Sequence, residues 1–307
     1  MFKKFVPRMV FILFLVSSLT LLLSSRSVAA WNGTVHIDSS GNVVPSDAPI
    51  QKNGALYTLT DNITSGADGI VVQCDNIVID GAGYTIQGAQ APDSKGIEIS
   101  GRSNVTIMNM KIETFDYGIF FSSSNNSRMT GNVLTNNYYG IWLFTSSNNK
   151  IIGNNITTNI YGIGLTLSST GNNLFYNNFE ENNAQAYCDT QSYNNFWDDG
   201  YPAGGNYWSD YNGTDSDHDG IGDTPYLIES NNQDDYPLMN PWVHKVGDVN
   251  YDGKVNIKDV YAVARAYGTS LQGPNPQGRN YNPDCDLNND HKIDAKDVYI
   301  VSRNFGK

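Results

Sequence analysis

Two acidic segments near the C-terminal end repeat one pattern of oxygen-bearing side chains. In each copy, oxygen side chains occupy positions 1, 3, 5, 9 and 12 of a loop, and position 7 can supply a backbone carbonyl. This is the ligand order of a single loop wrapped around Ca²⁺. The predicted ligands are Asp248, Asn250, Asp252, Lys254, Asn256 and Asp259 in the first loop, and Asp286, Asn288, Asp290, Lys292, Asp294 and Asp297 in the second.

Each loop is followed by apolar residues at helical spacing. These residues are Val260, Val263 and Tyr267 after the first loop, and Val298, Val301 and Phe305 after the second. Gly268 and Gly306 then mark the ends of the two predicted helices. Each copy is therefore predicted to be one loop followed by one helix, with no helix before the loop.

Two such units, each with an apolar residue at loop position 8 (Val255 and Ile293), resemble a type I dockerin domain over about residues 242–307. The resemblance implies two bound Ca²⁺ ions and a partner protein that carries a cohesin domain. His291 occupies loop position 6, where glycine is usual and positive φ is needed. We expect the second site to be the weaker one, because histidine adopts this conformation at some cost.

The resemblance also places the surface that reads the partner. Dockerins of the cellulose-degrading type carry small hydroxyl residues at loop positions 10 and 11, whereas larger or basic residues stand in this chain. The corresponding residues are Ile257, Lys258, Ala295 and Lys296, with Arg265 and Arg303 further along the two helices. The partner is therefore expected to be acidic at this face.

The middle of the chain repeats with a period of about 22 residues. A Gly-Ile pair recurs at Gly96, Gly118, Gly140 and Gly162, and apolar residues alternate with polar ones within each repeat. Three short strands fill such a repeat and leave no room for a helix. The sequence predicts an all-β right-handed parallel β-helix, followed by the small α-helical dockerin.

Aromatic residues recur in register with this repeat. Tyr117, Tyr139 and Tyr161 are predicted to stack about 4.8 Å apart, with Trp142 beside them. The row is a possible ligand face for polysaccharide; packing of exposed rings, including Phe115, at the turn ends is the alternative.

Asparagines also recur in register, as at Asn132 and Asn154. We interpret them mainly as structural, with side-chain amides that bond from coil to coil. A sugar-binding polar surface is the alternative.

An aromatic segment, predicted to cap the open end of the solenoid, contains a third acidic loop. Its predicted ligands are Asp215, Asp217, Asp219, Ile221 and Asp223. We interpret the loop as a third Ca²⁺ site. A plain acidic turn remains the alternative, because no carboxylate follows at position 12.

Four segments of the β-helix region resemble the NosD-type β-helix family of secreted and cell-surface proteins. They are residues 76–87, 205–210, 219–226 and 235–239, and the resemblance covers about residues 35–240. The namesake is linked to copper, which prefers clustered soft ligands. Because His36, His218 and His244 are scattered along the chain, copper handling is the least favoured function.

The N-terminal segment predicts a secreted or cell-surface protein. Basic residues precede an apolar run, and small residues at 28–30 suit signal cleavage, although an uncleaved membrane anchor is the alternative. The predicted organisation is a signal peptide at 1–30, an N-terminal cap at 31–60, β-helix repeats at 61–190, an aromatic cap at 191–241 and the dockerin at 242–307. A net charge of −12 disfavours nucleic acid as a partner.

The main alternative function is catalytic. A polysaccharide lyase or glycoside hydrolase would use the β-helix wall, and hydrolysis needs two carboxylates that face one cleft. Acidic residues are sparse in the coils, and Asp198 and Asp199 form an adjacent acidic pair close to the repeat, in the predicted cap. We therefore predict no catalytic residue and favour a binding scaffold.

Overall fold

Parallel strands stack in register from coil to coil. The computed structural model describes residues 30–229, 232–250, 254–271, 273, 275–276, 279–288 and 290–306. Ile97 pairs with Ile119, Ile119 with Ile141, and Ile141 with Ile163, so the repeat unit predicted from the sequence is one coil. The structure confirms a β-solenoid with coils of about 22 residues, followed by a small helical module at the C-terminal end.

Three long sheets, here called walls A, B and C, form the sides of the solenoid. Wall A contains β1 (Trp31–Asn32), β6 (Ile63–Thr64), β9 (Thr85–Gln87), β12 (Lys111–Glu113), β15 (Val133–Thr135), β18 (Asn155–Thr157), β21 (Asn178–Glu180) and β23 (Tyr207–Trp208). Wall B contains β2 (Val35–Ile37), β3 (Val43–Val44), β7 (Ile70–Val72), β10 (Lys95–Ser100), β13 (Tyr117–Ser122), β16 (Tyr139–Phe144), β19 (Tyr161–Thr166) and β22 (Ala184–Cys188). Wall C contains β4 (Ile50–Asn53), β5 (Leu56–Leu59), β8 (Ile77–Asp80), β11 (Val105–Met108), β14 (Arg128–Thr130), β17 (Lys150–Ile152) and β20 (Asn173–Phe175). A separate antiparallel pair joins β24 (Tyr226–Leu227) to β25 (Gln233–Asp234).

The apolar residues of each wall pile up inside the solenoid as fully buried rows. On wall A, Ile112, Leu134 and Ile156 are 0% exposed. Phe115 was expected among the exposed rings, but this prediction is wrong: its side chain is fully buried. The ring fits there because Gly88 leaves space, and a β-carbon at that position would lie 2.7 Å from Cδ1 of Phe115.

Buried asparagines form hydrogen-bonded ladders along the solenoid. In one ladder, the side-chain oxygen of Asn154 accepts from Asn132, that of Asn177 accepts from Asn154, and that of Asn206 accepts from Asn177. The last acceptor is the carboxylate of Asp234, to which the Asn206 backbone N–H donates at 2.7 Å. Each ladder amide satisfies polar groups inside the turns, where water is excluded.

Stacked aromatic rings close the C-terminal end of the solenoid. Trp208 continues the inward row of wall A, and its ring lies parallel between Phe179, at 4.4 Å, and Tyr226, at 4.2 Å. The indole N–H of Trp208 donates to Asp234, and that of Trp197 donates to Asn232. The cap therefore covers both the last apolar row and the last ladder acceptors.

The C-terminal module contains two helices, α1 (Ile257–Ala266) and α2 (Ala295–Arg303), and a short 3₁₀ turn, Pro283–Cys285. Backbone hydrogen bonds join the two loop-helix units: the N–H of Gly268 donates to the Ile293 carbonyl, and the N–H of Gly306 donates to the Val255 carbonyl. Tyr267 and Phe305, expected on the apolar helix faces, are 43% and 54% exposed. That expectation is wrong because α1 and α2 end before these residues.

The C-terminal module is fastened to the β-helix by contacts here called the junction. The backbone of Trp242 exchanges two hydrogen bonds with the Asn178 side chain, at 2.7 and 3.0 Å, and its ring stacks on Tyr176. Arg128 of wall C forms an ion pair with Asp284 at 2.6 Å, and both side chains are largely buried. An apolar contact completes the junction: Leu271 packs on the outer face of wall C, against Leu56, Val78 and Met108.

Among the described residues, no helix has the length and apolar character needed to cross a membrane. The predicted signal segment at 1–30 lies almost wholly outside the described residues.

Candidate metal loops and aromatic wall

The first C-terminal loop gathers acidic side chains around its own backbone. Asp248 and Asp259 are 1% and 0% exposed. The Asp259 carboxylate accepts from the N–H groups of Val249, at 2.9 Å, and Asn256, at 2.7 Å. Asn256 is also the N-cap of α1 and accepts from the Lys258 N–H. Asn250 and Lys254 lie within this loop, whereas Asp252 is outside the described residues.

The second loop has the same construction. The Asp297 carboxylate accepts from the N–H groups of Leu287 and Asp294, both at 2.8 Å. Asp286 accepts from Asp290 and His291 N–H groups, and burial raises its pKa. The residue at loop position 6, His291, has the positive φ expected there, 62°.

The position-5 carboxylate of the second loop has a partner of its own. The hydrogen bond from the Lys296 ammonium, at 2.6 Å, lowers the pKa of Asp290. Asn288 donates to the same carboxylate, and the Lys292 N–H also bonds to Asp290. A cation at this loop would compete with Lys296 for Asp290.

The chemistry of these donors fits a hard cation. Within each loop, the first and twelfth side chains are buried carboxylates, and the remaining side-chain donors are carboxylate or amide oxygens. Burying several like charges is costly unless a cation or hydrogen bonds compensate them. An oxygen-only set of this kind suits Ca²⁺, and Asp248, Asp259, Asp286 and Asp297 would hold it most directly.

The third acidic loop brings three of its predicted ligands together. Side-chain oxygens of Asp215, Asp217 and Asp219 all lie within 4.8 Å of one another. Asp223 is engaged elsewhere, because its carboxylate accepts from the Ser216 hydroxyl at 2.7 Å, which lowers its pKa. The Ile221 side chain is buried, its backbone forms an antiparallel bridge with Leu238, and its carbonyl remains the predicted backbone ligand.

The predicted partner-reading residues lie on exposed helix surfaces. Ile257, Lys258 and Arg265 are exposed on α1, and Ala295, Lys296 and Arg303 are exposed on α2. Sequence reasoning missed two neighbours, Tyr261 and Tyr299, which are 62% and 61% exposed. They stand at the same position in the two helices, one turn after Ile257 and Ala295, and this duplication is the signal that would have found them.

Wall B carries the aromatic row on its outer side. Tyr139 stacks on Tyr117 at 4.8 Å and on Tyr161 at 5.3 Å, with the ring planes within 22° of parallel. Trp142 contacts this row through Tyr139 and lies parallel to Tyr187 at 6.0 Å. The structure therefore brings the four predicted ligand-face residues together and adds Tyr187. The 22-residue period does not predict Tyr187 at this position, because the coil before it has one extra residue. Tyr161 therefore pairs with Ala184, and Gly164 pairs with Tyr187.

Within the acidic pair at the cap, Asp198 is bonded to the backbone. The Asp198 carboxylate accepts from the N–H groups of Gly200 and Asp235. Burial, followed by the charge of Asp198, raises the pKa of Asp199. Both oxygens of Asp198 thus help to shape the cap.

The coils, the cap and the duplicated loops define a parallel β-helix protein with a C-terminal loop-helix module. A family model described as periplasmic copper-binding protein (NosD) matches residues 18–213, and a model of the dockerin type I domain matches residues 246–306. Because the first match spans more than half of the chain, the chain belongs to the NosD family, and it carries a C-terminal type I dockerin domain. Dockerin type I domains bind calcium. A search of curated proteins finds no match to the chain.

Proposed function

We propose that this chain is a secreted, cell-surface β-helix protein that attaches to a cohesin-bearing partner through its dockerin. Calcium in the two dockerin loops holds α1 and α2 in place. The observation that carries the proposal is the pair of buried carboxylates at the first and twelfth positions of both loops, Asp248 with Asp259 and Asp286 with Asp297. We also propose that residues 1–30 direct secretion and are removed, so that the mature chain starts near Trp31.

The exposed side chains of the two helices suit a protein partner. Ile257, Tyr261 and Tyr299 are each more than 60% exposed, which is unusual for large apolar side chains unless another molecule covers them. Lys258, Arg265 and Arg303 surround them with positive charge on an otherwise acidic chain. The partner surface is therefore proposed to be apolar at its centre and acidic around it.

A binding assay with purified cohesin modules tests this function. The full chain is immobilised, and a panel of cohesins is applied in about millimolar CaCl₂ and again in excess EDTA. We expect capture in calcium and none in EDTA. Capture of equal strength in both conditions would contradict calcium-dependent docking.

Two matched variants separate the metal from the surface. Asp259→Asn removes a charge from the first loop and is expected to weaken calcium binding in titration calorimetry. Tyr261→Ala leaves all predicted ligands in place and is expected to weaken cohesin binding while calcium binding stays unchanged. If neither variant alters capture, the proposed docking surface is wrong.

A second proposed function is carbohydrate binding by wall B. The aromatic residues gathered on this wall, Tyr117, Tyr139, Tyr161 and Trp142, support this proposal because exposed parts of aromatic rings offer apolar surface next to polar edges. Incubation with neutral and uronic-acid polysaccharides distinguishes binding from catalysis. Binding without released product supports a scaffold, whereas product release that Asp199→Asn abolishes would make the chain an enzyme.

The acidic cap loop is proposed as a third calcium site, held by Asp215, Asp217 and Asp219. Calorimetric titration of the wild type against Asp217→Asn tests it. We expect the variant to bind one calcium ion fewer, and an unchanged stoichiometry would favour a plain acidic turn.

A further inference from the structure

The tyrosine row on wall B cannot serve as a stacking platform along its length, because its rings cover one another. Tyr139 has a parallel ring on each side, at 4.8 and 5.3 Å. The ring faces in the middle of the row are therefore already used, and the row presents ring edges and hydroxyl groups. A ligand that needs a free aromatic face must find it elsewhere on this wall.

The neighbouring row offers such a face. Strand register places Trp142 next to Gly164, and Gly164 next to Tyr187. The rings of Trp142 and Tyr187 are within 7° of parallel, and both make angles above 70° with the ring of Tyr161. Both rings thus lie edge-on to Tyr161, and Trp142 also contacts Tyr139 at 4.3 Å, so neither ring is a member of the parallel tyrosine stack.

Glycine at position 164 makes this arrangement possible. A β-carbon on Gly164 would clash with Cε3 and Cζ3 of Trp142, so the indole occupies the space directly over the Gly164 backbone. In the coils on both sides, the position equivalent to Gly164 carries an aromatic ring, because Gly164 pairs with Trp142 in one coil and with Tyr187 in the other. One coil further, Phe120 pairs with Trp142. The one small residue in this aromatic row is the one on which the indole rests.

We propose that Trp142 and Tyr187, on either side of Gly164, form the floor of a binding site for a neutral polysaccharide chain. This inference rests on the proposed carbohydrate-binding function of wall B. One face of a pyranose ring presents C–H groups, which are attracted to the negative face of an aromatic ring. The adjacent tyrosine edges supply hydroxyl groups that can bond to sugar hydroxyls.

Charge on the wall selects a neutral chain. Lys95 is the only lysine or arginine in the strands of wall B, and it is paired with Asp93 at 3.2 Å. Glu98 stands in register with Phe120, in the same row as Trp142 and Tyr187. A uronic-acid chain would meet these carboxylates without a free cation to compensate its own charge.

Two substitutions test the floor without replacing any residue of the tyrosine row. Gly164→Ala displaces the indole while every aromatic residue remains, and Tyr187→Ala removes the second ring. Gly66→Ala is the control for the first, because a β-carbon there has no atom within 4 Å. Tyr193→Ala, at a half-exposed cap tyrosine, is the control for the second.

Calorimetry on the full chain in calcium measures binding of cellohexaose, xylohexaose and mannohexaose, with hexagalacturonate as the charged comparison. We expect one or more neutral chains to bind, and Gly164→Ala and Tyr187→Ala each to weaken that binding by about ten-fold. The two controls should stay within about two-fold of the wild type. Circular dichroism verifies that each variant is folded. If Gly164→Ala does not fold, Tyr187→Ala still tests the inference.

Three outcomes would overturn the inference. If the wild type binds a neutral chain and both variants keep its affinity, wall B can still bind carbohydrate but the floor is elsewhere. If hexagalacturonate binds more tightly than every neutral chain, the charge argument is wrong. If no glycan binds, the carbohydrate-binding function fails together with the inference.

Discussion

Replacing one buried ladder asparagine should destabilise the solenoid far more than replacing an exposed asparagine. Asn154 is 0% exposed, and its side chain makes hydrogen bonds in both directions along the ladder. Its oxygen accepts from the backbone N–H of Asn132 at 3.1 Å and from the Asn132 amide at 3.0 Å. Its own amide donates to the Met129 carbonyl and to Asn177, both at 3.0 Å. Asn154→Ala removes all of these bonds.

The size of the effect follows from the groups left behind. The two Asn132 donors lose their acceptor inside a turn that water does not reach. A buried polar group left without a partner costs about 1–3 kcal/mol. Together with the lost donor bonds, we expect Asn154→Ala to lower the free energy of unfolding by about 4 kcal/mol.

Urea unfolding followed by circular dichroism, in calcium buffer, measures the difference. Asn183→Ala is the matched control, because Asn183 is exposed and follows directly after a buried asparagine. The control should change the free energy of unfolding by less than about 0.5 kcal/mol. If the two variants unfold at the same urea concentration, the ladder contributes no more than a surface amide, and our reading of it is wrong.

Three further predictions concern the cap, the junction and the metal. Burial raises the pKa of Asp234 to about 7, so the folded protein holds a proton that the unfolded chain has released above its ordinary pKa of 3.8. Stability should therefore fall as pH rises from about 4 to 7, by up to about 4 kcal/mol, and Asp234→Asn should remove this slope in urea titrations at several pH values. Trp242→Ala should open the junction and speed tryptic cleavage at Lys245 several-fold, measured by mass spectrometry. An unchanged cleavage rate would mean that Trp242 does not stabilise the junction. Excess EDTA should lower the melting temperature of the dockerin by much more than that of the β-helix, which has one proposed calcium loop in its cap, and one unchanged transition in calorimetry would contradict this.

The coil could be predicted from the sequence because the same positions must be apolar and buried in every coil. A row such as Ile112, Leu134 and Ile156 must face inward in every coil, and a fixed spacing therefore reports the fold directly. The loop positions were equally readable, since the ligand order is local in sequence. The positive φ of His291 also followed from its loop position alone.

Other features depend on contacts between distant residues and leave no periodic signal. Phe115 is buried because Gly88, far from it in sequence, leaves room for its ring. Tyr187 joins Trp142 only after an extra residue has shifted the register. The ion pair of Arg128 with Asp284 joins residues of different modules, and neither residue stands out in its own segment. Spacing within one segment cannot report such contacts.

The junction determines how a pull on the dockerin would reach the rest of the molecule. Trp242 is hydrogen-bonded to Asn178, and Asp284 forms an ion pair with Arg128. Arg128 belongs to a middle coil and Asn178 to a late coil. A force applied to the dockerin therefore reaches the solenoid through strands of walls A and C and loads several contacts at once. It does not peel the coils one by one from the capped end, where stacked rings and ladder bonds would break in sequence. The fastening thus keeps such a force away from the terminal coils.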